Sequence, residues 1–417
     1  AWYGITDVDQ HTLDERGNAR RPVSINRRFS FKQRLSGVEA NLRKTFAGEG
    51  YEQRVAAGLE YRQRRTEEFR NGLETGLTDG LQSNVLLGEA YPLRDFPISY
   101  STEWGAFVED ALTVSNWTVI AALRADRFDL KPQNDSIYLA GAPTAAPVSL
   151  SESALSPKLG LVYRLSTELD VYAQYSRGFR APLYEDANIG LDIPLFNIQA
   201  IPNPDLKAAS SDGFDVGIRW AGIGGRFQLS AFRNDYDNFI ETKVRLGVDP
   251  QSGRILFQSQ NVQRARIEGI ETSWNLSLAA WADGLFLDGS AYVARGENSD
   301  KGVALNTVGP AQAVIGLGWS SPDARWQLRL VGTLSDRWDE RDKSGGDLFE
   351  PPAYAIADLF ITRRFSERLV LRAGALNLGN RKYWAWTDVR GLAPDDPVLP
   401  YLARPGTTLT AGIDFRW

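Results

Sequence analysis

Cysteine is missing from all 417 residues of this chain. Its absence excludes a disulfide framework and any cysteine-ligated metal, and is compatible with a cell-envelope location. Histidine occurs once, at His11. A hydrolase built on a histidine base would have that one candidate, with no evident serine or acid partner beside it. Methionine is absent even at position 1, and Ala1-Trp2-Tyr3-Gly4 has neither a basic n-region nor an apolar core, so the start reads as the interior of a longer protein. No run approaches the roughly 18 unbroken apolar residues of a membrane helix. The net charge of -5 gives no footprint for nucleic acid. A mean hydropathy of -0.32 fits a soluble protein. It fits a transmembrane barrel equally well, because a polar lumen and polar loops hide the lipid-facing half of each strand from any average.

What the chain does have is alternation. Leu409, Ala411, Ile413, Phe415 and Trp417 alternate with Thr408, Thr410, Gly412, Asp414 and Arg416. A period of two puts the apolar set on one face of a strand. About ten residues is also the length a tilted strand needs to cross a bilayer, and Trp417 ends the run where an interfacial aromatic girdle would want it. The pattern recurs at 155–164 and 169–176, and near 38–46, 51–63, 100–113, 117–130, 211–221, 225–237, 262–277, 284–296, 310–320, 325–337, 353–363 and 367–379. With one or two less regular segments before residue 36, about sixteen strands result.

The connections alternate in length. Short turns fall near 47–50, 114–116, 165–167, 222–224, 278–283, 321–324 and 364–366, and long ones at 64–99, 131–153, 181–210, 238–261, 297–309, 338–352 and 380–407. Short turns on one rim and long loops on the other mark an outer-membrane barrel, whereas a sandwich with Greek-key crossovers would not keep that order. The fold class expected is therefore all-β, a transmembrane antiparallel β-barrel with its long loops facing outward. His11 falls in the first long connection by this reading.

Two of these loops hold distinctive residues. Tyr383, Trp384, Trp386 and Tyr401 lie in 380–407, and Tyr184 and Phe196 lie in 181–210 with four prolines. Before the latter, Gly178 permits a bend at the top of a strand and Pro182 stops laddering by removing an N–H. Arg180 sits at the loop entrance, within reach of an anion or a neighbouring carbonyl. Asn203-Pro204 pins the loop's return path.

Gly178-Phe179-Arg180-Ala181-Pro182 together with Asn203-Pro204-Asp205-Leu206 resembles the paired FRAP and NPNL boxes of TonB-dependent haem and haemoglobin receptors. The strand Leu155–Leu165, the start Asn261-Val262 with Ala265 to Gly269, the stretch Asn377 to Tyr383 and the turn Arg404-Pro405-Gly406 resemble that family too. The resemblance covers essentially the whole chain, 1–417, and implies a receptor in the outer membrane of a Gram-negative bacterium. The implied partners are outer-membrane lipid, the TonB complex, and haem or a haem-carrier protein. Haem would be transported cargo, with no permanently bound cofactor and no enzyme activity. Barrels of this class have about 22 strands around a plug, so the resemblance implies that some six strands, the plug and the TonB-contacting box belong to a part of the receptor outside this sequence.

Departures from the family pattern matter as well. Residues 183–202 contain no histidine, where carrier-using members of the family place an iron ligand. That leaves Tyr184, as a tyrosinate, or His11 as candidate metal contacts. Arg180, Tyr184, Phe196, Tyr383, Trp384 and Trp386 are the candidate ligand-binding residues, the loop aromatics being able to stack on a flat porphyrin. Ala208-Ala209 and Thr407 also replace residues common in the family. An iron-siderophore receptor that keeps the boxes as scaffold is the nearest alternative. A passive porin or structural barrel is the alternative from another class.

Overall fold

The period of two is realised as one continuous antiparallel meander. In a computed structural model of the chain, all residues are described except 19–20, 87, 134, 143–146, 340–341, 343–345 and 417, together with the side chains of 17–18, 21, 243 and 262–263. The meander consists of β1 Trp2–Asn18, β2 Arg21–Gly48, β3 Tyr51–Gly76, β4 Ser99–Val114, β5 Trp117–Pro132, β6 Leu150–Arg164, β7 Leu169–Arg180 and β8 Ala209–Gly222. It continues through β9 Gly225–Val248, β10 Ile255–Ser277, β11 Leu285–Asn298, β12 Gln312–Ser320, β13 Trp326–Ser335, β14 Tyr354–Arg364, β15 Leu369–Leu376 and β16 Thr408–Phe415. Each strand pairs with the next in sequence. Among the described residues no ladder joins β16 to β1. The sixteen strands therefore do not close into a smaller barrel of their own.

Three expectations are corrected. The connection assigned to 64–99 begins only after Gly76, where β3 ends, and that assigned to 238–261 is mostly strand, because β9 and β10 pair out to Val248 and Ile255. Charged residues had masked the pattern there, since both faces of a strand beyond the bilayer meet water. His11 likewise lies not in a connection but within β1, opposite Arg28. The closing aromatic, Trp417, lies outside the described residues.

Side-chain direction follows the register. Leu42, Leu59, Val108, Leu123 and Leu155 are exposed, with Leu59 at 66%. They form an outward apolar band with the small residues Ala40, Ala57, Ala106 and Ala125. Hydrocarbon, not protein, is the environment that makes such exposure favourable. Trp117 and Tyr163 flank the band at the short-turn rim, their ring centroids 4.4 Å apart, as interfacial aromatics do. Facing the lumen are polar residues and a few large rings, and glycines make room for the rings. At Gly217 a Cβ would come within 2.7 Å of the Tyr172 ring, and at Gly318 it would overlap Phe286.

β2 is 28 residues long, nearly three times what a tilted crossing requires. The excess stands above the band on the long-loop side. There the loops 77–98, 133–149 and 181–208 fold together and carry the short helices α1 Ser136–Gly141 and α2 Tyr184–Asn188. A third helix, α3 Trp386–Val389, lies in loop 377–407.

Candidate functional site

Asparagine carboxamides hold the mouth together. A carboxamide carries the donor and acceptor of a peptide group, so it can pair with both N–H and C=O of one residue in another segment. Asn188, fully buried, accepts from the Val148 N–H at 2.5 Å and donates to the Val148 carbonyl at 3.0 Å. Asn261 does the same to Lys207 at 2.8 and 3.0 Å. Asn377 pairs with Arg381 at 2.9 and 2.8 Å, and also donates to the Pro405 carbonyl at 3.1 Å. Asn306 repeats the device with Asp342 at 2.7 and 3.1 Å. Each replaces ladder bonds that an irregular loop cannot make.

The Asn203–Leu206 box belongs to this system. Asn203 Nδ2 donates to the Ser259 carbonyl on β10 at 2.7 Å, while its Oδ1 accepts from the Asp205 N–H at 3.0 Å. Leu206 is 2% exposed and packs with Ala209 and Ile240. Ile198–Ala200 adds a short parallel strand to Ile255–Phe257 of β10. This box therefore fixes the loop's return path, as its sequence suggested, and the Asp186 carboxylate accepts from the Ser259 hydroxyl at 3.3 Å beside it.

Residues at the loop's entrance do something different. Phe179, Ala181, Leu183 and Tyr184 line a cavity of about 320 Å³ whose other wall is the lumenal face of β3, β4 and β5. That wall includes Glu60, Arg64, Ser101, Glu103, Arg124, Asp126, Phe128 and Leu130. Phe128, Leu130 and Ala187 form a small buried core under the loop, with Ala181, Tyr184 and Leu150 packed against it. The volume lies at the lower end of the range typical for small-molecule sites, and the mixture of rings and placed charges is the usual composition of one.

Tyr184 opens α2, and its ring meets Phe96 edge-on with centroids 4.7 Å apart. Burial pushes its phenol up to about 12, with the neighbouring Glu185 carboxylate acting in the same direction. It is therefore protonated at neutral pH in this state. Arg180, at the end of β7, is half exposed and 3.9 Å from Asp186. Phe196 stands in a single 3₁₀ turn, Pro194–Phe196, and is 64% exposed.

The other aromatics form a separate cluster. Tyr383 packs on Tyr354 at 4.5 Å, Trp384 on Phe349 at 5.4 Å and Trp386 on Trp338 at 5.8 Å. Trp384 also donates its indole N–H to the Leu399 carbonyl at 2.8 Å. Their ring contacts are thus to β14 and loop 336–353. His11 is exposed on β1, 3.3 Å from Asp9. Among the described residues no group of three or more His, Cys, Asp or Glu is arranged to hold a metal ion.

A second charged cluster, which sequence reasoning missed, lies where loop 77–98 folds onto β3. Arg94 is buried and 2.7 Å from Asp135 and 3.3 Å from Glu67. Arg70 lies 2.8 Å from Asp95 and 2.9 Å from Glu89. Between them Glu68, 2% exposed, accepts from the Asp95 N–H at 2.9 Å. Burial pushes its carboxyl up to about 7, with the charge of Asp95 adding to the effect. Glu68 stands nine residues beyond Leu59, about 30 Å farther along the strand and well outside the apolar band. The run of charges from Glu67 to Arg70 reads in sequence as a solvated strand face, and only the loop that covers it makes it an interior.

Comparison with known proteins follows the same lines. Hemoglobin-haptoglobin utilization protein B of Neisseria meningitidis serogroup A is 29% identical over 65% of this chain and 37% of its own length. Lactoferrin-binding protein A of the same organism is 23% identical over 96% of this chain and 48% of its own. The chain thus spans less than half the length of either relative. Among solved structures, the copper transporter OprC superimposes with a TM-score of 0.70 at 17% identity, over 99% of this chain and 61% of that one. The Serratia marcescens hemophore receptor HasR, solved with its hemophore HasA and heme, gives 0.66 at 16% identity, over 95% and 62%. At those identities the likeness is one of fold. The family model described as TonB dependent receptor-like, beta-barrel matches residues 1–378, and the chain belongs to that family.

Proposed function

We propose that this chain forms the barrel wall and outer mouth of a receptor that imports haem, free or delivered by a carrier protein, across the outer membrane. The observation that carries the proposal is the cavity of about 320 Å³ that the entrance of loop 181–208 forms against the lumenal face of β3, β4 and β5. Rings from the entrance of loop 181–208 face arginines of the barrel wall across it. The relatives named for haemoglobin–haptoglobin support this reading.

In the proposed sequence of events, outward loops capture the ligand. Energy arrives through TonB, since the outer membrane holds no nucleotide supply, and a plug moves to open the polar lumen. The chain's own residues act by binding and positioning and form no covalent bond. Tyr184 is the proposed wall residue nearest the ligand, and Arg180 guards the entrance beside it. An iron-siderophore receptor of the same fold is the second reading, favoured by the lack of histidine in 183–202.

The test is a haemin titration of the intact receptor in detergent, followed in the Soret region. A saturable one-to-one shift supports haem. A shift abolished by Tyr184→Phe assigns the iron contact to that phenol, and a shift unchanged by it moves the contact elsewhere. No shift with haemin or haemoglobin, alongside tight binding of a ferric siderophore, transfers the function to the second reading.

A further inference from the structure

Charge in the cavity balances except at one residue. Arg124 is 2.7 Å from Asp126 and 3.1 Å from Glu60. Arg62 engages Glu60 and lies 3.9 Å from Glu103. Arg127 turns to Asp129 at 3.2 Å and to Ser151 at 2.7 Å. Every cavity carboxylate is thereby held by Arg62 or Arg124.

Arg64 has none. Among the described residues it makes no hydrogen bond or ion pair, and its Nε is buried without a partner. Register explains why. Across β2 its neighbour is Leu35 and across β4 it is Ser101, which in turn faces Leu130. Two positions back along its own strand face is Arg62, a like charge, and two positions on is Thr66. A guanidinium left half-buried without a counter-charge is costly, and the cost is recovered if a ligand supplies the anion. Its planar donor fork matches a carboxylate in two parallel hydrogen bonds. Beside it, Phe128, Phe179 and Tyr184 provide apolar faces for the body of the same ligand.

We propose that Arg64 is the anchor for a carboxylate of the incoming ligand, which enters this cavity acid group first with its apolar body against Phe128, Phe179 and Tyr184. The proposal rests on the haem reading for its first probe only. Haemin carries two propionates, and its dimethyl ester keeps the ring while removing both charges. Binding of each is measured on the intact receptor and on Arg64→Gln and Arg64→Lys, with correct assembly checked by heat-modifiable gel mobility.

The expected result is that wild type binds haemin roughly ten- to a hundred-fold more tightly than the ester. Arg64→Gln loses that margin for haemin and changes ester affinity little, while Arg64→Lys recovers part of it. Equal affinity of wild type for both probes overturns the anchor while leaving haem binding intact. So does an equal loss for both probes in Arg64→Gln, which marks a structural role. If wild type binds no haemin the haem reading falls, and the anchor is read instead on ferric citrate, a carboxylate complex without a porphyrin. Citrate binding lost in Arg64→Gln then upholds the anchor, and citrate binding that is absent or unchanged overturns it.

Discussion

Asn203 Nδ2 donates to the main-chain carbonyl of Ser259 across 2.7 Å, tying the return of loop 181–208 to the outer end of β10. Both groups are buried, so removing the carboxamide leaves the Ser259 carbonyl and the Asp205 N–H without partners. Asn203→Ala should weaken loop closure by about 1–3 kcal/mol. Limited proteolysis and hydrogen exchange should show faster opening of 181–208, with the thermal midpoint of the barrel unchanged. Asn203→Asp should behave no better, because it keeps the acceptor for Asp205 but sets a charge against the Ser259 carbonyl.

Glu68 makes the fold of loop 77–98 depend on pH. Its carboxyl is raised in the closed loop to about 7 from an ordinary 4.5, so the closed state holds a proton that the open state releases. Closure is then fully stabilised below about pH 4.5, weakens as pH rises through 7, and levels off once both states are ionised. Exchange at 91–96, corrected for intrinsic rate, should accelerate by up to roughly tenfold per pH unit between 5 and 7. Glu68→Gln should flatten that profile. A profile that stays as steep in the variant would place the titration on another group.

Leu59 and Glu109 occupy opposite faces of adjacent strands, Leu59 opposite Ala106 and Glu109 opposite Ala56. Leu59→Arg puts a charge into the lipid-facing band and should cost about 2–4 kcal/mol. Glu109→Gln changes a lumenal side chain and should stay within about 0.5 kcal/mol. Urea-dependent folding of the receptor into phospholipid vesicles, followed by tryptophan fluorescence, distinguishes the two.

Tyr184 packs through its ring, at 4.7 Å from Phe96. Tyr184→Phe keeps that contact and should leave loop protection within about 0.5 kcal/mol of wild type. Tyr184→Ala empties part of the small core with Phe128 and Leu130 and should cost about 3–5 kcal/mol. Hydrogen exchange of α2 reads both effects apart from any change in ligand binding.

Alternation, turn length and the two boxes were legible in the chain itself. They identified an all-β meander, its inward and outward faces and its rim of long loops, because a period of two is local and each hairpin joins neighbours in sequence. The Asn203 box was legible as a loop clamp, and Asn261 and Asn377 stood in recognisable motifs. What escaped were the outer parts of β3, β9 and β10, where water on both faces removes the apolar contrast. The carboxamide bridges escaped for a different reason, since Asn188 and Val148 lie 40 positions apart.

Sequence alone determined the architecture, because strand faces and hairpin order depend on residues two apart and on neighbours along the chain. Tertiary structure alone decided which charges are interior and which cavity arginine lacks a counter-charge among the described residues. Glu68 becomes a buried acid only when loop 77–98 covers it. Among the described residues Arg64 is left without a counter-ion because register sets it between Leu35 and Ser101. Both depend on contacts distant in sequence, where desolvation and the absence of a partner, not residue type, fix the chemistry.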